Sequence, residues 1–121
     1  MDATVKDIMT CDVAAVPQDE PFREIALDLR AHHRTSFPVV DDAGTVIGVV
    51  SDADLLDHLG THLAKSAVAA DLMRRPAITV TPGEPAEHAL RLMYIFRVRE
   101  LPVVDEAGHL AGIVVRTDVL G

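Results

Sequence analysis

A chain of 121 residues, 49% hydrophobic and 25% charged, fits one compact domain or two half-domains sharing a core. With Tyr94, three phenylalanines and no Trp, that core must be aliphatic, and the lone Cys11 excludes an intrachain disulfide. A net charge of −8 without any basic run excludes general nucleic-acid binding, though a few local arginines can still hold one nucleotide. No apolar stretch reaches membrane-spanning length and the opening "MDATVKD" is polar, so the expectation is a soluble, cytoplasmic protein with no membrane partner.

In chain order, a short apolar stretch at residues 13–16 comes first. The Glu20-Pro21 pair then opens a helix, because Pro is favoured at the first helical position. Phe22, Ile25, Ala26 and Leu29 follow at i, i+3, i+4 and i+7, which predicts one apolar helical face. His32 and His33 cap its C-terminal end, where positive charge is favoured. Two β-branched runs, "FPVVD" and "TVIGVVS", are joined by "DAG", where Gly44 supplies the positive φ of a tight hairpin. Asp41 and Asp42 are turn residues there rather than a catalytic pair. "SDADLLDHLGTHLAKS" resumes helical spacing to about Ser66.

The clause then returns 64 residues later. "FPVVDDAGTVIGVVSDADLL" becomes "LPVVDEAGHLAGIVVRTDVL", with more than half the positions from Pro38 to Leu56 unchanged. Residues 77–81, the Glu84-Pro85 pair, the helix face Ala86, Ala89, Leu90 and Met93, and the hairpin glycine Gly108 all recur in order. "KDIM" at residues 6–9 recurs as "ADLM" at 70–73. Two copies, 1–66 and 67–121, thus divide the whole chain, each reading strand, helix, strand, strand, helix. Two copies are too few for an open solenoid, so halves that bury their apolar faces together fit better. The second closing helix stops at "DVLG", either because it is short or because the chain continues beyond.

This duplicated order resembles a tandem pair of CBS domains, named after cystathionine β-synthase and often called a Bateman module. The resemblance implies an α+β fold of two βαββα repeats, packed through their sheets about a pseudo-twofold axis, with a cleft at either end of the interface. It also implies a flat homodimer that acts as a regulatory sensor and not as an enzyme. AMP, ADP, ATP or S-adenosylmethionine would be its regulatory ligands, with no obligatory cofactor. The alternative is a structural dimerisation or partner-binding module whose clefts stay empty.

"GVVSDAD" places Gly48, Ser51 and Asp54 at the spacing of that family's ligand motif, with Val49 between them. The chemistry is intelligible from the residues. A strand running into a helix leaves unpaired N–H groups that favour a phosphate, and Ser51 adds a hydroxyl. Asp54 can accept from both ribose hydroxyls, charged hydrogen bonds worth roughly 1.5–3 kcal/mol each. Gly48 leaves the strand backbone open to a ligand. The competing reading is that Ser51 and Asp54 simply cap the helix, worth about 1 kcal/mol.

In the second copy "GIVVRTD" keeps Gly112 and Asp118, beside Ile113, but puts Val115 where Ser51 stands. One phosphate donor would be lost there, and the resemblance implies that Thr117 would partly replace it. The resemblance further places Thr35 and Arg99, three residues before each "PVVD" proline, opposite the other copy's pocket. Arg99 would then serve Ser51 and Asp54, and Thr35 would serve Asp118; a solvated surface charge is the plain alternative for Arg99. The resemblance also implies that the backbone at residues 36–39 (Ser36, Phe37 and Val39 among them) and 101–103 would meet an adenine edge, with residues 13–15, Ala14 at their centre, and 78–80 as apolar walls. His58 and His62, four apart, lack further ligands and are surface histidines, not a zinc site. No nucleophile–base pair and no phosphate-binding glycine loop is present in the sequence, so nothing points to catalysis.

Overall fold

A computed structural model describes residues 2–61 and 66–120; the side chains of Asp118 and Leu120 lie outside that description, as does His62. The chain divides into two compact units, Ala14–Ala77 and a second that joins Met1–Val13 to Ile78–Gly121. The opening segment of each sequence copy therefore lies in the unit built on the other copy's hairpin.

In the unit Ala14–Ala77, β1 (Val16–Pro17) pairs in parallel with β2 (Ser36–Val40), which pairs antiparallel with β3 (Val46–Ser51). Between β1 and β2 runs α2 (Phe22–Ala31), which buries Ile25 and Leu29 one turn apart. Pro21 sits at its N-cap, one residue before the first helical residue Phe22, and not at the first helical position as the sequence suggests. The helix ends at His32, and His33 takes a positive φ of 52°. Phe37, Val39 and Val50 from the sheet meet Ile25 and Leu29 in an aliphatic core, which Leu55 and Leu72 close.

The hairpin turn is held by Asp41, whose Oδ1 accepts the N–H groups of Ala43 and Thr45, each at 3.0 Å, while Gly44 supplies φ of 84°. That is the backbone role expected of Asp at this place. After β3 comes α3 (Asp52–His58), which ends well before Ser66. Leu59 is already extended and Gly60 turns with φ of 80°, so helical spacing in the sequence outlasts the helix. A four-residue helix, α4 (Ala69–Leu72), completes the unit.

The other unit repeats the plan. It contains α1 (Val5–Ile8), α5 (Ala86–Phe96), the antiparallel pair β4 (Glu100–Val104) and β5 (Leu110–Val115), and α6 (Arg116–Leu120). Its apolar core joins Met93, Leu101, Val103 and Val114 to Val5 and Val119. Val80 pairs in parallel with Val103 in the place that β1 holds in the first unit. Arg97, at the end of α5, takes φ of 55° just as His33 does 64 residues earlier. Asp105 holds the second turn as Asp41 holds the first, accepting from Ala107 and His109.

The short helices α1 and α4, which the residue pattern did not announce, arise from "KDIM" and "ADLM". Each is followed by an extended pair that clamps onto a hairpin strand. Thr10 and Ile113 exchange two backbone hydrogen bonds of 2.8 and 2.9 Å; Arg74 and Val49 exchange two of 2.9 and 3.1 Å. The glycines facing these clamps are required by them. A Cβ at Gly112 would lie 2.6 Å from the Thr10 carbonyl oxygen, and one at Gly48 would lie 2.8 Å from that of Arg74. No helix among the described residues is long and apolar enough to cross a membrane.

Candidate functional site

The first copy's junction residues come together where β3 becomes α3. Ser51 is the N-cap of α3, and Ser36 lies opposite it across the ladder. The Asp52 N–H donates to the Thr35 carbonyl at 2.9 Å, so the lead-in to β2 and the start of α3 are tied together. Asp54, three residues into the turn, is only 7% exposed.

A buried carboxylate needs partners, and Asp54 has them. Its Oδ2 accepts from the Ser51 N–H at 2.8 Å and from the Ser51 hydroxyl at 2.9 Å. The Asp54 N–H returns a bond to the Ser51 Oγ at 3.3 Å, closing a reciprocal capping box. Its Oδ1 faces the Arg74 Nε at 3.5 Å, on a side chain that is 68% exposed. The capping role weighed for these two residues is thus realised in full. Asp54 Oδ1 thus lies beside a guanidinium on a solvent-exposed side chain.

The remaining residues of this unit named from the sequence fall into three groups. Phe37 and Val39 spend their side chains on the core, so only their backbone could serve a ligand. Phe37 is further enclosed by the Arg34 guanidinium, 5.4 Å from its ring centre, and by the His32 ring, perpendicular to it with centroids 5.8 Å apart. Gly48 and Val49 are covered: Met73 and Arg74 fill the space above Gly48, and Arg74 takes both backbone groups of Val49. A ligand approaching that stretch of strand, as the sequence suggested, would meet protein instead. Ala14 is exposed at the entrance to β1 and Thr35 is exposed ahead of β2.

Arg99, Ile113, Thr117 and Asp118 belong to the other unit. Arg99 is exposed and its carbonyl accepts from the Arg116 N–H at 2.8 Å, the counterpart of Thr35 and Asp52. Ile113 is buried with both backbone groups held by Thr10. Thr117 is exposed in the first turn of α6, and Asp118 lies in the same helix with its side chain outside the described residues. With Val115 before it, α6 has no hydroxyl to match Ser51.

Two residues at the first junction, Met73 and Arg74, were not named from the sequence. The signal was there in the repeat. "KDIM" and "ADLM" match at the 64-residue offset, and the next position, Thr10 or Arg74, forms the clamp. His58 spends its ring on the backbone, its Nδ1 lying 2.9 Å from the Asp54 carbonyl. No group of three metal-ligating side chains is present among the described residues.

The CBS domain model matches this chain twice, over residues 5–61 and 68–121. The chain belongs to the CBS domain family. This CBS pair is similar to the crystal structure of CBSX2 in complex with AMP, at 34% identity and a TM-score of 0.86, covering 98% of this chain and 93% of that one. It is also similar to the CBS domain pair of protein MJ0100 in complex with 5′-methylthioadenosine and S-adenosyl-L-methionine. There the identity is 27% and the TM-score 0.88, with 99% and 94% of the two chains covered. An uncharacterized protein of Methanopyrus kandleri is 31% identical over 119 residues; these are 97% of this chain, which spans 61% of that relative.

Proposed function

We propose that this CBS pair is a regulatory module that senses an adenosyl ligand, AMP foremost, and acts by binding rather than catalysis. The observation that carries the reading is the junction of Ser51, Asp54 and Arg74 in a chain whose fold matches an AMP complex at 34% identity. A carboxylate with one accepting oxygen directed at an exposed cation suits a ribose hydroxyl beside a phosphate. Binding shifts the balance between conformations only as far as the ligand prefers one of them.

The pair works as a homodimer in this reading, supported by Tyr94, Ile95 and Phe96, which leave an apolar face exposed at the end of α5. Native mass spectrometry tests both statements at once. The expected spectrum is a dimer that gains the mass of AMP when millimolar AMP is added. A monomer contradicts the association. The absence of any adduct with AMP, ATP or S-adenosylmethionine contradicts the sensing role and favours a purely structural module.

A further inference from the structure

At the first junction the Ser51 hydroxyl and the helix-start N–H groups of Asp52, Ala53 and Asp54 are already committed as donors, which leaves Arg74. The Ser51 hydroxyl donates to Asp54 Oδ2 and accepts from the Asp54 N–H, so it has no proton to spare without breaking the capping box. The N–H of Asp54 is used in the same exchange. Arg74 differs. Its guanidinium carries five N–H donors, of which Nε faces Asp54 while most of the side chain is in solvent. Among the described residues, Asp54 is its ion-pair partner and no other is.

The position of Arg74 is set by the backbone rather than by that ion pair. Its N–H donates to the Val49 carbonyl and its carbonyl accepts from the Val49 N–H, which fixes its Cα along the edge of β3. Gly48 allows this approach, since a Cβ there would strike both the Met73 side chain and the Arg74 carbonyl. A clamped backbone carrying a mostly free cationic side chain, anchored at one nitrogen beside a carboxylate, is a positioned anion receptor. The pairing also couples two events. A ribose hydroxyl that takes Asp54 Oδ1 competes with Arg74 Nε, and an anion on the same ligand then restores a partner to the displaced guanidinium.

Building on the proposed sensing role, we infer that Arg74 is the specificity-determining residue of this site, selecting adenosine 5′-phosphates over uncharged or cationic adenosyl ligands. Isothermal titration of wild-type protein, R74A and R74K with AMP, adenosine and S-adenosylmethionine tests this. Wild type is expected to bind AMP at least about tenfold more tightly than adenosine. R74A should lose about tenfold for AMP, the effect of removing a charge-assisted hydrogen bond. Adenosine should change by no more than about twofold, because it offers the guanidinium no anion. S-adenosylmethionine should lose clearly less than AMP, because its single carboxylate lies beside its own ammonium and sulfonium. R74K should fall between, since a point charge replaces a planar fork. Equal AMP affinity in wild type and R74A overturns the assignment, as does a parallel loss for all three ligands, which would mark Arg74 as structural. Wild type that binds none of the three overturns the sensing role itself, a result distinguishable from both.

Discussion

Asp54→Ala is expected to cost the ligand-free protein roughly 2–3 kcal/mol of stability, from a lost helix cap and a half-buried N–H left without its acceptor. The structure gives the reason in three contacts. Asp54 accepts from the Ser51 N–H and hydroxyl and faces Arg74, all from a position that is 7% exposed. Removing the carboxylate strands the Ser51 N–H and releases the guanidinium to solvent. Ser51→Ala removes only the hydroxyl and should cost less, about 1 kcal/mol. The two losses should not add, because both side chains belong to one capping box. Thermal unfolding of wild type and both variants, with and without AMP, separates cap from ligand site. At one hundred times its Kd a ligand stabilises by about 2.7 kcal/mol, and Asp54→Ala should abolish that gain. If the variant loses stability but keeps the full AMP-induced shift, Asp54 is a cap alone.

Stability should fall as pH rises from about 5 to 8, and Glu20→Gln should flatten that fall. Glu20 immediately precedes the N-cap of α2, with its carbonyl accepting from the Ala69 N–H at 2.9 Å. Its Oε2 is buried without a hydrogen-bond partner among the described residues. Burial, then the adjacent Asp28 carboxyl, then Glu24 and Asp19, push the Glu20 pKa up from 4.5 to about 7. Asp71, on the neighbouring α4, is turned away onto the Val68 N–H.

The folded state thus holds a proton that the unfolded chain releases near its ordinary pKa, and a protonated Glu20 can donate to Asp28. Stability from this group is fully present below about pH 4.5 and is lost as pH rises through about 7. A shift of that size corresponds to at most about 3.5 kcal/mol; solvent screening of the partly exposed neighbours brings it to roughly 1–2 kcal/mol. Glu20→Gln, neutral throughout, should be more stable than wild type at pH 8. Identical pH slopes in the two proteins would contradict this origin.

The duplicated pattern made most of the fold legible in the sequence, because each signal had one physical meaning. Ile25 and Leu29 repeat at helical spacing and lie in the core; Gly44 and Gly108 stand where hairpins require positive φ, and they have it. Helical spacing after Ser51 misled, since apolar residues continue past Gly60 although the chain has already turned. The clamps of Thr10 and Arg74 were hidden for another reason. They join residues far apart in the chain, and nothing local to "KDIM" or "ADLM" names a partner strand.

Of the site, the junction of Ser51 and Asp54 was readable from the motif. That Gly48 serves the Met73–Arg74 pair was not, because a glycine in a strand reports close approach without saying what approaches. Arg74 escaped notice because its side chain meets Asp54 only through the fold, twenty residues on.

The most direct test is a crystal structure of the protein grown with AMP. The expected density places a ribose hydroxyl within hydrogen-bonding distance of Asp54 Oδ1 and the phosphate against the Arg74 guanidinium. AMP bound elsewhere, with the Asp54–Arg74 pair intact, would contradict this site.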